Sequence, residues 1–462
     1  MTAQPRDGIV AIVIAVFLLA GVALDALGPK ADRPRAVAAA DAAFDARAVF
    51  CPPALDKPAS HMTLSAVARG DEAVDVGIEP ASDQRVEAVP RSILEINPPS
   101  AEAVDVTGYG APVDATVVTS IDAQVSGVGG AACAPRASTR WYFPEGNSTV
   151  THDERLLIYN PFPDEAVVRV ALLTPGGETT KARLADVAVP AESSINLAMN
   201  EYLSEQKKVL GAVVTTVRGR VVAWRLSIAR PEEKPAGVQF TLGATAVADV
   251  WYFPEGAVGA GYEERISIMN PGTAEATVEI TLVAGSKALP AAGATEVPVP
   301  GRSTVAVVLD ESALPGESGG AGAIVRSVNR VPVVAERTVF YATEDVDGVA
   351  SEIGSSQSAR TWLLGPATSR PEADAAVFLN TGTQEARLSL TLLGASGEPL
   401  RPRPLTNLRI AAGARLRVPL GEITGGEPYA VLVEATGDVV AERFSYSAGA
   451  GDVASLMGIP LD

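Results

Sequence analysis

The chain has 462 residues, too many for one ordinary hydrophobic core, which predicts three or four domains at roughly 100 to 200 residues each. Charged residues make up 20% and aromatic residues 5%, and 42 Gly and 34 Pro favour short strands joined by tight turns. The formal net charge of −18 argues against nucleic acid or an anionic membrane surface as partner, because both would repel the protein.

The amino-terminal region contains an apolar run. Residues 8 to 24 include no charged residue and no proline, and at about 1.5 Å per helical residue they reach about 25 Å. That length suits a membrane span or the apolar core of a signal peptide. Ala26-Leu27-Gly28 has the small residues of a cleavage site, but Pro29 would follow the cut. We therefore predict a tail over 1–7, a transmembrane helix over 8–28 and a linker over 29–47, with a cleaved leader and a secreted protein as the alternative.

The segment 48–139 contains both cysteines, Cys51 and Cys133. They form no Cys-x-x-Cys pair and have no neighbouring histidine, so we predict a disulfide that closes this short domain. Such a bond requires an oxidising compartment, which places the carboxyl-terminal domains outside the cytoplasm. The alternative is a pair of buried free thiols in a cytosolic protein. Residues 89–97 resemble residues 189–197, and residues 115–120 resemble residues 212–217, so the short domain is predicted to be a reduced copy of the repeats that follow.

Three longer repeats follow the short domain. The hexapeptide Trp-Tyr-Phe-Pro-Glu-Gly begins at Trp141 and returns 110 residues later at Trp251, and a diverged copy begins at Trp362. An asparagine follows these tryptophans after 19, 19 and 18 residues. Recurrence at matched offsets indicates tandem domains rather than an isolated motif. We predict repeat 1 at 140–249, repeat 2 at 250–360 and repeat 3 at 361–462.

Each repeat is predicted to be built of strands. Val278, Ile280 and Leu282 alternate with polar residues, which is typical of a strand with one buried face. Turn signals recur about every ten residues, as in an antiparallel sandwich. The predicted fold is therefore all-β, with tandem immunoglobulin-like β-sandwich domains behind an amino-terminal transmembrane helix. One short helix is predicted at 200–206, with Asn200 as its cap.

The aromatic residues at the repeat starts are the first candidates for a site. In a strand, Trp141 and Phe143 share one face and Tyr142 lies on the other. The first interpretation is structural, with Trp and Phe in the core and Tyr covering a neighbouring strand or a domain junction. The alternative is that Tyr142 and Tyr252 stack on sugar rings. The full set of motif residues is Trp141, Tyr142, Phe143, Trp251, Tyr252, Phe253 and Trp362.

The sequence offers no convincing catalytic or metal-binding set. Its two histidines, His61 and His152, stand in non-equivalent places and are predicted to be surface residues. No nucleophile elbow, zinc-ligand spacing or phosphate-binding glycine loop occurs. Arg225, Arg337 and Arg443 recur near the repeat ends, and we predict that they pair with carboxylates or cover apolar surface. No catalytic residue, metal ligand or cofactor is therefore predicted.

The tandem Trp-Tyr-Phe-x-Glu-Gly units, each followed by Asn-Pro in the first two copies, resemble an uncharacterised family of exported actinobacterial proteins, one of the families of unknown function. The resemblance covers about residues 48 to 462 and implies an envelope-associated protein with sandwich-like repeats. We predict a non-catalytic scaffold or interaction protein of the cell envelope, anchored in the cell membrane, with an envelope protein or cell-wall polysaccharide as partner. The alternatives are a cell-wall carbohydrate-binding protein and an enzyme acting on envelope polysaccharide.

Overall fold

A computed structural model describes residues 46–53, 60–79, 82–97, 102–122, 126–203, 205–230, 232, 235–310, 312–313, 319–343, 346–366, 373–421, 423, 427–447 and 452–462. Across these ranges the chain is all-β, as predicted, with antiparallel sheets and short 3₁₀ turns. The predicted membrane segment at 8–28 lies outside the described residues. Within the described residues no helix is long and apolar enough to cross a membrane.

The short domain folds into two antiparallel sheets, with strand orders β1-β6-β3-β4 and β5-β2-β7-β8. Its strands are β1 (Ala46–Cys51), β2 (Ser60–Ala68), β3 (Val74–Glu79), β4 (Ser82–Ala88), β5 (Ser92–Ile96), β6 (Val104–Tyr109), β7 (Val113–Asp122) and β8 (Ser126–Ala132).

Repeat 1 has the same two sheets, with orders β12-β11-β15-β9 and β14-β10-β16-β17, and β13 pairs with β11. Its strands are β9 (Arg140–Phe143), β10 (His152–Asn160), β11 (Ala166–Thr174), β12 (Gly177–Thr180), β13 (Val187–Val189), β14 (Ser193–Ala198), β15 (Gly211–Arg218), β16 (Val222–Ala229) and β17 (Gly237–Leu242). Its 3₁₀ turns lie at Ala182–Leu184 and Met199–Glu201.

Repeat 2 follows the same plan, with orders β22-β21-β26-β18 and β24-β20-β27-β28. β23 pairs with β21, and β19 pairs with β25. Its strands are β18 (Val250–Phe253), β19 (Ala257–Val258), β20 (Tyr262–Asn270), β21 (Ala276–Ala284), β22 (Lys287–Pro290), β23 (Val297–Val299), β24 (Ser303–Leu309), β25 (Gly319–Gly320), β26 (Gly322–Ser327), β27 (Val334–Ala342) and β28 (Asp347–Ile353).

In repeat 3 one long strand, β34, runs through both sheets and joins them. Its first part pairs with β29 and β31, and its second part pairs with β30 and β35. The strands are β29 (Ala359–Leu364), β30 (Ala373–Asn380), β31 (Ala386–Leu393), β32 (Leu408–Ile410), β33 (Arg415–Pro419), β34 (Ala430–Ser447), β35 (Asp452–Met457) and β36 (Ile459–Pro460), with a 3₁₀ turn at Arg403–Leu405. Apolar side chains are buried between the sheets, an arrangement consistent with a β-sandwich.

The recurring asparagine explains part of the sequence repeat. Asn160, Asn270 and Asn380 end strands β10, β20 and β30 and are buried. Each side-chain amide donates to a carbonyl four residues ahead, at 2.8, 2.7 and 2.8 Å, and each side-chain oxygen accepts the backbone N–H two residues ahead. Because a buried amide must satisfy its donors and acceptor, the same turn needs the same residue in every copy.

The strand pairing makes the short domain a fourth copy of the unit. A residue with a left-handed backbone conformation precedes each of the equivalent strands β5, β14, β24 and β33. These residues are Arg91 (φ 53°), Glu192 (φ 50°), Arg302 (φ 56°) and Gly413 (φ 67°). One predicted match was wrong, because β7, which contains residues 115–120, pairs with β2 and β8. It therefore takes the place of β16, and the equivalent of β15 is β6.

The predicted helix at 200–206 was also wrong. A single 3₁₀ turn at Met199–Glu201 stands there, and it is flanked by Ala198, which makes no side-chain cap. Asn200 lies inside the turn instead of capping it, and its side-chain oxygen accepts the N–H of Glu154 on β10 at 3.1 Å. The asparagine ties this turn to the neighbouring strand, so the segment follows that strand rather than extending as a helix.

The four domains close into a ring. β8 packs against β17, β17 against β28, β28 against β35, and β35 against β8. Two successive glycines of β8 show the closure: a Cβ on Gly129 would lie 2.9 Å from the Cβ of Phe240 in repeat 1, and one on Gly130 would lie 2.9 Å from Leu456 Cδ1 in repeat 3. The short domain therefore contacts both the first and the last repeat through neighbouring residues on opposite faces of one strand.

Candidate functional site

The motif tryptophans are core anchors. Trp141, Trp251 and Trp362 are almost fully buried, at 1%, 3% and 0% exposure. Each indole Nε1 donates to a backbone carbonyl about 80 residues later: Val221 at 2.8 Å, Val333 at 2.8 Å and Val439 at 3.0 Å. The bond ties the first strand of each repeat to a residue four positions before the recurring arginine. A buried indole N–H needs such a partner, so the motif tryptophan has a structural role in each repeat.

The phenylalanine of the motif fills the same core. Phe143 and Phe253 are fully buried, and a Cβ on Gly243 or Gly354 would lie 2.6 Å from the Cζ atom of the corresponding ring. Each ring therefore lies directly against a glycine backbone. This contact explains why a small residue follows the last strand of the sheet in both copies.

The motif tyrosines lie at the junctions between repeats. Tyr142 is 5% exposed and belongs to the core cluster of repeat 2, while Tyr252 is half-buried and packs against the core of repeat 3. Tyr142 borders a groove of about 290 Å³ with Arg140 and Arg302, but its ring is covered. Stacking on a sugar requires an open ring face, so the burial of Tyr142 is against the sugar-stacking interpretation at this residue.

The glutamate of the motif reaches into the next repeat. The Glu145 carboxylate accepts a hydrogen bond from Ser267 and lies 3.6 Å from Arg265 Nη1. The Glu255 carboxylate pairs with Arg415 at 2.5 Å and with Arg417 at 2.7 Å. The glutamate of the Pro-Glu-Gly stretch therefore links each of the first two repeats to the next one.

A second set of ion pairs crosses the same junctions with the charges reversed, so that the earlier repeat supplies the arginine and the later repeat the glutamate. Arg225 of repeat 1 pairs with Glu336 of repeat 2 at 2.7 Å, and Arg337 of repeat 2 pairs with Glu442 of repeat 3 at 2.6 Å. All four side chains are at most 1% exposed. The prediction that Arg225 and Arg337 pair with carboxylates is confirmed, but their partners lie in the following repeat.

Each acceptor glutamate makes more than the ion pair. Glu336 Oε2 accepts the N–H of Glu145 at 3.1 Å, and Glu442 Oε2 accepts that of Glu255 at 2.9 Å. Ser351 and Ser455 donate to the same two carboxylates at 2.9 and 2.5 Å. We call these arrangements the rungs: Arg225–Glu336 is the first rung and Arg337–Glu442 the second. In each rung the carboxylate is completed by hydrogen bonds from a serine and a backbone N–H, while Nε and Nη1 of the arginine have no hydrogen-bond partner among the described residues.

The ends of the array differ from its middle. Where repeats 2 and 3 carry the rung glutamate, repeat 1 carries Trp224, which is fully buried in a cluster shared by the short domain and repeat 1. Arg443, in the last repeat, pairs within its own repeat with Asp374, at 2.9 and 2.7 Å. Its Nη1 also donates to the carbonyls of Gly365 and Tyr429. The residue types therefore change at the two junctions that repeats 1 and 3 make with the short domain.

Two buried glutamates flank the rung arginines within their own repeats. Burial raises the pKa of Glu154 to about 8, with Arg225 opposing the rise, and burial raises the pKa of Glu264 to about 8, with Arg337 opposing it. Burial also raises the pKa of Glu336. Near neutral pH, Glu154 and Glu264 therefore favour the neutral form, which reduces the negative charge buried at the junctions.

The short domain joins the ring through its own contacts. Cys51 and Cys133 form the predicted disulfide, which links β1 to the segment after β8. The Tyr159 hydroxyl of repeat 1 donates to Asp105 at 2.9 Å. His61 is exposed as predicted, but His152 was wrongly predicted to be at the surface, since it is buried at the end of β10. In the described part of the chain, no group of three or more His, Cys, Asp or Glu residues could hold a metal ion.

Comparison with known proteins gives a family but no activity. Residues 100–250 and 244–456 each match the family of unknown function DUF5719. The curated proteins contain no match to the chain.

Two solved structures resemble parts of the chain. One, titled "Crystal Structure of Thermotoga maritima 1070", is 24% identical over 23% of this chain and 93% of that chain, with a TM-score of 0.21. The other, the Anabaena sensory rhodopsin transducer, is 27% identical over 20% of this chain and 96% of that chain, with a TM-score of 0.17. These TM-scores are too low to support an inference. Because the two family matches together span more than half of the sequence, the chain belongs to the family of unknown function DUF5719.

Proposed function

We propose that this protein is a non-catalytic scaffold or interaction protein of the cell envelope, held at the membrane by residues 8–28 with its β domains outside the cytoplasm. The observation that carries the proposal is the closed ring of four sandwich-like domains. A chain of linked domains would present its surfaces in changing relative positions. A closed ring fixed by buried rungs presents them in one arrangement, which favours binding because little conformational freedom is lost.

The two rung carboxylates support a scaffold because their hydrogen bonds all go to groups of the junctions themselves. The carboxylates of Glu336 and Glu442 are each held by an arginine, a serine and a backbone N–H of the junction. Groups with perturbed pKa values are candidates for catalysis when they line a cleft, but structural ion-pair networks perturb pKa values in the same way. Here the network connects domains, which favours the structural role.

The disulfide supports the proposed compartment. The bond between Cys51 and Cys133 joins residues 82 positions apart, and such bonds persist in oxidising compartments. Together with the apolar run at 8–28 this supports a membrane-anchored protein whose β domains lie outside the cytoplasm. The proposed partner of the scaffold is an envelope protein, and a cell-wall polysaccharide as sole partner is the alternative.

The experiment is capture by the full-length chain, purified in mild detergent and immobilised, from separated protein and polysaccharide fractions of the envelope. A scaffold retains one discrete protein saturably, and chain length in the polysaccharide fraction is unchanged after incubation. Heat-unfolded protein is the control for nonspecific retention. Shortening of the polysaccharide, or failure to retain any protein saturably, would contradict the proposal.

A further inference from the structure

A pocket of about 380 Å³ lies between repeats 2 and 3, outside the rungs themselves. Four aromatic side chains line it, from β20, β27 and β34: Tyr262, Tyr341, Phe444 and Tyr446. Its volume falls within the range of pockets that hold small ligands, about 300 to 1,000 Å³.

The four rings form a continuous series across the junction. The centroids of Tyr262 and Tyr341 are 5.9 Å apart and their planes are nearly perpendicular, at 86°. Tyr341 and Phe444 are 5.6 Å apart, and Phe444 and Tyr446 are 6.2 Å apart. The two inner rings, Tyr341 and Phe444, are buried, while the outer rings of Tyr262 and Tyr446 are half-buried. The outer tyrosines therefore retain accessible ring surface beside the pocket.

The repeat architecture does not require these aromatic residues. Tyr262 and Tyr341 are direct neighbours in the β20–β27 pairing, and the equivalent neighbours in the β10–β16 pairing of repeat 1 are His152 and Ala229. The junction between repeats 1 and 2 forms with the same rung and the same motif glutamate. Tyr341 thus occupies a position where another copy of the unit folds with alanine.

Polar groups converge on the same pocket. Glu255 is held there by Arg415 and Arg417, and the Arg417 guanidinium also lies 4.9 Å from the Phe444 ring centroid. The Arg417 side chain is 35% exposed, so donors of its guanidinium are within reach of a ligand. The Tyr341 hydroxyl is buried and has no hydrogen-bond partner among the described residues. The hydroxyl has almost no accessible surface, so Tyr341 contributes its ring to the site rather than its hydroxyl.

We propose that this junction pocket is a binding site for a neutral saccharide. A pyranose ring presents apolar C–H faces, which pack on the accessible faces of Tyr262 and Tyr446, and equatorial hydroxyls, which accept hydrogen bonds from Arg417. The ligand is assigned as neutral because the net charge of −18 of the whole chain opposes the approach of an acidic saccharide. The site goes beyond the scaffold function and does not depend on it.

The test is binding of the full-length chain to two separate panels of immobilised oligosaccharides: neutral hexose and N-acetylhexosamine oligomers, and uronic acid oligomers. The tightest neutral oligomer is then titrated calorimetrically. Tyr446→Ala is expected to weaken binding about tenfold, as loss of an interface aromatic commonly does. Tyr262→Ala removes the other accessible ring and is expected to weaken binding to a similar extent.

Two further variants separate binding from folding. Tyr341→Ala introduces the residue that repeat 1 has at this position, so it is expected to fold and to lose binding. Tyr109→Ala is the matched control, because Tyr109 is a half-buried tyrosine in the short domain with a guanidinium 3.6 Å from its ring centroid. It is expected to leave affinity unchanged. Three outcomes would overturn the proposal: no neutral oligomer binds, only uronic acid oligomers bind, or binding is unaffected by Tyr446→Ala and Tyr262→Ala in folded protein. Failure to capture an envelope protein would contradict the scaffold function alone.

Discussion

Removal of one rung carboxylate tests the energetic role of the junctions. In Glu442→Ala the carboxylate that accepts from Arg337 at 2.6 Å, from Ser455 at 2.5 Å and from the Glu255 N–H at 2.9 Å is lost. The guanidinium of Arg337 is 1% exposed, so it would lose the carboxylate of the next repeat while remaining out of water. Breaking a buried pair by removing one partner typically costs about 3 to 5 kcal/mol. We expect a loss of that size in the free energy of unfolding.

The assay is equilibrium unfolding in urea, followed by tryptophan fluorescence and by far-ultraviolet circular dichroism to check that the two signals coincide. Glu385→Ala is the matched control. Glu385 pairs with Arg409 at 2.8 Å in the same repeat, but both side chains are at least 40% exposed, so the expected loss is below about 1 kcal/mol. The double variant Arg337→Met with Glu442→Met removes both charges and is expected to recover most of the stability. Equal effects of the buried and the exposed deletion would refute the reasoning.

Three further predictions concern pH, the core anchor and the disulfide. Burial raises the pKa of Glu264 from 4.5 to about 8, so its protonation stabilises the folded state below about pH 4.5, and this contribution is lost as pH rises through 8. Glu264→Gln is therefore expected to reduce the fall in melting temperature between pH 6 and pH 9, and an unchanged fall would contradict the assignment. Trp251→Phe removes the bond to the Val333 carbonyl and is expected to cost about 1 to 3 kcal/mol in urea unfolding; a loss within error of zero would contradict the anchor role. Cys51→Ala with Cys133→Ala opens a loop of sequence separation 82 and is expected to cost about 4 kcal/mol, whereas unchanged stability would show that the bond adds little to the ring.

The strand content and the repeat were predictable because they depend on local patterns. Alternation at Val278, Ile280 and Leu282 reports one buried face, and the strand β21 is found there. The asparagine spacing was visible in the sequence, and its turn chemistry follows from the bonding capacity of one amide. The disulfide was predictable because Cys51 and Cys133 have no other evident partner.

The junctions were less predictable because their partners are far apart in sequence. Arg225 and Glu336 are separated by 111 positions, and nothing local to either residue indicates the other. One signal was present: the rung glutamate occurs in repeats 2 and 3 and is replaced by Trp224 in the first repeat. A residue that changes only at the end of an array indicates a contact between neighbouring units. The prediction for Arg225 and Arg337 identified a carboxylate partner without assigning it to the next repeat.

The aromatic pocket could not be predicted from the recurring Trp-Tyr-Phe-Pro-Glu-Gly motif. The sequence drew attention to Tyr142 and Tyr252 because they recur, but recurrence reflects the needs of the junction, and Tyr142 is buried there. Tyr341 does not recur, and its equivalent in repeat 1 is Ala229. In a repeat protein, the residues that depart from the repeat are therefore better candidates for a ligand site than those that define it.

The most direct test of the central claim is a disulfide across the closure between the short domain and repeat 3. A Cβ built on Gly397 lies 3.4 Å from the Cβ of Val89, close to the separation of about 3.5 to 4.5 Å in disulfides. Because Gly397 has a φ of 75°, which strains any side chain, the Gly397→Cys single variant is first shown by circular dichroism to fold like the unchanged protein. The full-length Val89→Cys, Gly397→Cys variant is oxidised mildly and its mobility is measured on a non-reducing gel. Val89→Cys with Leu289→Cys, an exposed position in repeat 2, is the control. A closed ring predicts a fast-migrating cross-linked monomer for the first variant and none for the control. Absence of that species in folded protein would show that the four domains do not close.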